Sequence, residues 1–345
     1  MRKFLEENER AKRDYIFYLE HANGLDQKST DKVLAAILKY EESTKFKSFK
    51  RFHIEQAATF KEYLAAARGK AGNPLSHATI DATLALVRKF FVWLAGQTGY
   101  KSRISYADTA YFKNNRKSAR IAHTANEKRF PSTEAAFHAF QAMPSATKFE
   151  KRDKALFAFF MLTGARVGAV ASLKLKHVDL FNGRVFQDPK EVNTKFAKSI
   201  DTTFYPVDPA YLDCLTSWID YLRTVELFGQ MDALFPKAQR EVADGGGFIF
   251  ANLSRQPYAN TTPLNKIIRG AFAAVQLPEY TPHAFRTTLV VLGSSMCKSM
   301  EAMKAWSMNM AHDDLKVTMG SYLPVDGQRR DAIIKSLGKG EVEQS

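Results

Sequence analysis

Apolar residues recur at helical spacing along most of the chain, and the period shortens from 3.6 to 2 only between Arg184 and Val207. That pattern limits the architecture to a mainly helical protein with a small sheet in its second half. The clearest stripe follows Pro74 and Ser76, where Ile80, Leu84, Val87, Phe91 and Leu94 fall on one helix face. Ser29 or Thr30 can cap a helix through Tyr40 that carries Val33 and Ile37. His53 to Arg68 offers another, with Ile54, Ala57, Phe60 and Leu64. With the amphipathic stretch before Asn23-Gly24, these predict a four-helix bundle in the first third.

From Gly99 to Arg129 the periodicity fails and basic residues accumulate, which reads as a linker with the domain boundary within about 115–131. Pro131-Ser132-Thr133-Glu134 then opens a new helix. Arg152–Met161 and Val167–Leu175 read as helices separated by Thr163-Gly164. Arg184–Gln187 and Ile200–Val207 read as strands around the polar stretch DPKEVNTKFAKS. Helices resume at Pro209, break at Gly245-Gly246-Gly247 and continue from Thr262. At 345 residues, two domains are expected, 1–125 with a basic linker to about 131 and 132–345.

The net charge of +14 is unevenly placed. Residues 1–130 carry 25 Lys and Arg against 14 Asp and Glu, whereas residues 131–345 carry 25 against 22. Such an excess favours a polyanionic partner, nucleic acid or an anionic membrane face. No apolar run is long enough to span a bilayer, and MRKFLEENERAKRDY does not read as a secretory leader. Cys214 and Cys297 show no ligand spacing, which argues against a disulfide framework or structural zinc and fits a reducing cytoplasm.

Taken singly, the polar residues say little: a lone arginine is usually a surface residue, and a histidine at a helix start is usually a cap. Their order says more. Thr163-Gly164-Ala165-Arg166 precedes a hairpin with lysines, then His283-x-x-Arg286, then His312, then Tyr322 ten residues later. This series closely resembles the tyrosine recombinase (phage integrase-like) family. The wording Trp306-Ser307-Met308-Asn309-Met310-Ala311-His312 with Ser321-Tyr322 is similar to the form found in many bacterial integrases of mobile elements.

The resemblance implies a helical, SAM-like DNA-binding bundle followed by a mixed α/β catalytic domain, together forming a clamp on duplex DNA. It implies site-specific recombination through a 3′-phosphotyrosyl intermediate. Arg166 and Arg286 would hold the non-bridging phosphate oxygens, a task suited to rigid, permanently charged guanidiniums. Tyr322 would attack phosphorus. A hairpin lysine, Lys195 with Lys198 as second choice, would protonate the leaving oxygen. His283 would assist proton transfer, and His312 would hydrogen-bond the phosphate. Neither a metal nor a nucleotide cofactor is implied. The implied partners are double-stranded DNA, further copies in a homotetramer on paired sites, and accessory DNA-bending proteins, in a cytoplasmic, nucleoid-associated setting.

Two departures from the family pattern stand out. Gly168 and Ala169 occupy positions where the family often has a carboxylate, and Met310-Ala311 replaces Leu-Gly before the histidine. Alternatives are a type IB topoisomerase-like relaxation activity and a DNA-binding accessory protein without catalysis. A metal site from His283, His312, Asp313 and Asp314 lacks the two-His helical spacing of metallohydrolases. The triple glycine lacks the Lys-Ser/Thr of a phosphate loop.

Overall fold

The computed structural model describes residues 4–69, 72–123, 129–194, 197–242, 246, 248–312 and 334–335. The chain divides into two compact units, Met1–Ala125 and Asn126–Ser345.

In the first unit, α1 (Glu6–His21), α2 (Gln27–Ser43), α3 (Ile54–Ala66) and α4 (His77–Ala95) surround one core. Ser76 caps α4 by accepting from the Thr79 amide, and Leu84, Val87, Phe91 and Leu94 on its stripe are buried. Val33, Ile37 and Tyr40 of α2 and Ala57, Phe60 and Leu64 of α3 join them in that core. The expected cap of α2 is corrected. Asp26 caps it, because its carboxylate accepts from the Ser29 amide at 2.8 Å and starts the helix earlier.

The expected linker is also shorter than its lost periodicity suggested. Tyr100, Ile104 and Phe112 are buried in the first unit, with the Phe112 ring stacked 5.0 Å from Phe91. This stretch runs through turns into a 3₁₀ helix at Asp108–Phe112, whose three-residue repeat hides its apolar anchors from a 3.6 template. Arg116–His123 then forms helix α5 in what the sequence presented as open linker.

The second unit begins with α6 (Thr133–Ala142), capped by Ser132, and α7 (Lys148–Thr163), which starts with a Thr147–Glu150 capping box. Every residue from Ala155 to Thr163 is buried, so α7 runs through the core. The predicted Val167–Leu175 helix shrinks to one turn, α8 (Val167–Val170). Beyond it the backbone bonds elsewhere: Leu173 O accepts from Leu234 N, and Leu175 N donates to Asp232 O.

Strands β1 (Val178–Asp179), β2 (Arg184–Gln187) and β3 (Ile200–Thr203) form an antiparallel sheet in that order. Val185, Gln187, Ile200 and Thr202 point inward, while Arg184 and Asp201 form an ion pair on the outer face. The strand predicted through Val207 stops at Thr203, because the Tyr205 amide turns to Leu162 O, 2.8 Å away, and Pro206 has no amide hydrogen.

Helix α9 (Pro209–Thr224) buries Leu215, Trp218 and Leu222 in the same core as α7. A hairpin the sequence reading missed, β4 (Ala238–Val242) and β5 (Phe248–Leu253), flanks the triple-glycine run. Helices α10 (Thr262–Ala274), α11 (Pro282–Met296) and α12 (Met300–Asn309) follow. Among the described residues no helix is long and apolar enough to cross a membrane.

Candidate active site

The corner after α7 is shaped by two residues before Arg166. Thr163 Oγ1 donates back to Phe159 O at 2.7 Å and accepts from the Ala165 amide at 3.2 Å. Gly164 adopts φ +56°, where a side chain would be strained, and a Cβ there would lie 3.1 Å from Leu289 Cδ1. This turn brings the Gly164 carbonyl to Arg286. Arg166, half-buried, sits at the N-cap of α8, where its own carbonyl accepts from the Ala169 and Val170 amides.

Arg286 lies in the second turn of α11, with Pro282 at the helix start and Phe285 buried beside it. It is 2% exposed. Its Nη1 donates to Gly164 O at 2.6 Å, and its Nη2 donates to Met310 O at 2.9 Å and to His312 Nε2 at 2.7 Å. Two carbonyls and an imidazole fix the orientation of the fork without neutralising it. Its Nε has no hydrogen-bond partner among the described residues. A buried cation is costly unless an anion comes to meet it.

Helix α12 aligns the remaining elements. Trp306 lies against Gly293 of α11 and donates from Nε1 to Leu289 O at 3.0 Å. Asn309, the last residue of α12, pairs with β3. The chain then turns through Met310 and Ala311, and Ala311 takes φ +56°. The glycine-to-alanine departure therefore falls on a left-handed position, and the alanine adopts that conformation while His312 still reaches Arg286. Met310 is buried with Leu289 and Met303, so the leucine-to-methionine departure conserves an apolar contact.

Arg166 and Arg286 line the same narrow crevice with Thr163, Gln187 and Thr202. Its volume is about 10 Å³, room for at most one water, so the two motifs are packed together. A larger cleft of about 460 Å³ shares Ile200 with it and is lined by Lys198, Lys304, Ser307 and His312. His283, at the second position of α11, is exposed and lines neither space. Lys195 and Tyr322 lie outside the described residues, as do Asp313 and Asp314. Most of the Asp331–Leu337 segment does too. The sequence reading missed the carbonyls of Gly164 and Met310, which hold Arg286, since backbone acceptors leave no residue signature. It quoted Asn309 within the Trp306–His312 motif but gave it no role.

Residues 133–329 match the phage integrase family. The chain belongs to the phage integrase family. Solved structures similar to this family member include a lambda integrase(75-356) dimer bound to a COC′ core site, with TM-score 0.62 and 13% identity over 91% of this chain and 94% of that one. A post-cleavage complex of XerH site-specific recombinase with palindromic difH substrate gives TM-score 0.60 and 17% identity over 91% and 81%. The Tn1549 transposon integrase with a circular intermediate DNA gives 0.59 and 14% over 95% and 99%. At these identities the likeness speaks for the fold, which is that of the tyrosine recombinases. No curated protein matches the chain in sequence.

Proposed function

We propose that this phage integrase family protein is a site-specific recombinase that breaks and rejoins duplex DNA through a 3′-phosphotyrosyl bond on Tyr322. The reading is carried by Arg286: a buried cation, oriented by two carbonyls and an imidazole, packs beside Arg166 along one crevice, which gathers two guanidiniums where a phosphate would dock. In the cleavage step the Tyr322 oxygen bonds to phosphorus and the P–O5′ bond breaks. The phenol proton passes to His283, and a hairpin lysine, Lys195 or Lys198, gives a proton to O5′. Arg166, Arg286 and His312 stabilise the charge that builds on the non-bridging oxygens. The ester bond then stores the energy for rejoining.

Double-stranded DNA is the partner in this reading, with the basic first unit supplying phosphate contacts and a marked salt dependence. Exchange between two sites calls for four copies, with DNA-bending proteins as accessories. A mobile DNA element is the natural setting, and the protein would act on the nucleoid.

The test is covalent trapping on nicked duplexes tiled across the DNA that flanks the gene, read on a denaturing gel. A site-dependent adduct that is lost in Tyr322→Phe, while DNA binding persists, is the expected result. An adduct that survives in Tyr322→Phe would reject this nucleophile. Relaxation of supercoiled DNA lacking any such site would favour a topoisomerase instead.

A further inference from the structure

The side chain of Asn309 ties together the elements around Arg166 and Arg286. Its Nδ2 donates to Thr203 O and its Oδ1 accepts from Thr203 N, both at 2.8 Å. Thr202 Oγ1 adds a bond to Asn309 O at 3.1 Å. A primary amide that pairs with both backbone groups of one residue imitates a neighbouring strand. β3 is an outer strand of its sheet, so among the described residues this edge has no strand partner. Tyr205 makes a second tie, donating from its hydroxyl to Trp306 O at 3.1 Å, and Trp306 in turn bonds to α11.

These ties matter because of what the joined elements carry. Lys198 lies two residues before β3, and Ile200 and Thr202 within β3 line the crevice that holds Arg166 and Arg286. Met310 O and His312, which fix Arg286, follow directly on Asn309. Without the amide, β3 would keep only the single Thr202 Oγ1 bond to Asn309 O, with the Tyr205 tie just beyond the strand, and its edge would be free to shift against α12.

We infer that Asn309 is a positioning residue, which holds the lysine-bearing hairpin at a fixed distance from the Arg286–His312 pair so that O5′ receives its proton as the P–O5′ bond breaks. This inference rests on the recombinase reading above. Asn309 acts through the hairpin and does not contact the reacting atoms. A misplacement of about 1 Å in such an arrangement costs on the order of a hundredfold in rate.

The experiment compares single-turnover adduct formation by the full chain on two nicked duplexes, one ordinary and one with a 5′-bridging phosphorothiolate. A thiolate leaves without a proton, since thiols ionise near about pH 8.5. Asn309→Ala removes the amide. Asn309→Asp keeps its size but sets a carboxylate against the Thr203 carbonyl. Both are expected to slow cleavage of the ordinary duplex by about ten- to a hundredfold, with DNA affinity unchanged. On the phosphorothiolate both should cleave at nearly the rate of the unsubstituted chain. Equal losses on the two duplexes, or no loss on either, would overturn the inference. If the unsubstituted chain forms no adduct on either duplex, the recombinase reading fails and takes this inference with it.

Discussion

Nη2 of Arg286 lies 2.7 Å from Nε2 of His312, and both side chains are almost wholly withdrawn from water. A guanidinium offers only donors, so the imidazole accepts this bond and carries its proton on Nδ1. Protonating it would turn Nε2 into a donor facing another donor and place a second cation beside the first. In this orientation any hydrogen bond from His312 to a phosphate comes from Nδ1.

That relationship makes Arg286→Lys a severe change despite the conserved charge. An ammonium is one point with three donors, and it cannot span Gly164 O, Met310 O and His312 Nε2 at once. Cleavage should fall by about 10²–10³-fold, the usual effect of losing one oxyanion donor. The orphaned carbonyls should lower stability by roughly 1–3 kcal/mol. Adduct kinetics and a denaturant midpoint measure the two effects separately. A near-normal cleavage rate would remove Arg286 from the phosphate site.

Gly164→Ala tests the corner that presents the acceptor. Two costs coincide there, a left-handed backbone and a Cβ 3.1 Å from Leu289 Cδ1. Gly24→Ala is a natural control, because Gly24 has φ +64° and nothing within 4 Å of a built Cβ. The control should lose about 1 kcal/mol from backbone strain. Gly164→Ala should lose clearly more and should also slow cleavage, as its carbonyl shifts from Nη1. Equal losses in urea unfolding would show that the leucine contact yields freely.

Periodic elements were legible in the sequence, and elements defined by local turns or distant pairing were not. The α4 stripe from Leu84 to Leu94 shows at once because one face of a long helix meets one core. β4 stayed hidden because Gln239, Arg240 and Glu241 interrupt any alternation. Phe112 stayed hidden because a 3₁₀ turn carries it. In the site, Arg166, Arg286 and His312 stood out through their spacing. The groups that orient them did not: a carbonyl belongs to every residue, and Asn309 finds its partner 106 positions away.

Ala311→Gly carries the opposite expectation to Gly164→Ala. Ala311 already holds φ +56°, a region that an alanine enters at a cost and a glycine enters freely. The greater freedom of glycine in the unfolded chain offsets part of that relief, so stability should stay level or rise by up to about 1 kcal/mol. Cleavage should be kept or improved, since the turn delivers His312 to Arg286. Ala311→Val, with a branched side chain in the same backbone state, should lose both. A marked loss of stability in Ala311→Gly would mean that the methyl group contributes packing that outweighs the strain.

The segment after α8 contributes to the pH dependence of the protein through one ring. His177 Nδ1 accepts from the Lys174 amide at 2.9 Å, which puts its proton on Nε2, 3.6 Å from Glu191 Oε2. Burial holds this imidazole below its ordinary value of 6.5; Glu191 and Asp188 pull it upward, and Lys176 and Lys174 push it down. The folded chain therefore binds fewer protons here than the unfolded chain. The stabilisation is complete above the ordinary value and is lost as pH falls through it toward the lowered one. Protonation would also remove the acceptor that holds the Lys174 amide. The loosened stretch is the one on which the β2–β3 connection rests, since Glu191 bonds Lys174 and Lys176, and the Asn193 amide bonds Ser172 Oγ at 2.9 Å. Urea unfolding at about pH 5.5 and 7.5 should show lower stability at the acid end. His177→Asn, whose Oδ1 can take the same backbone bond without titrating, should flatten that difference. An unchanged difference in this variant would assign the acid sensitivity to other groups.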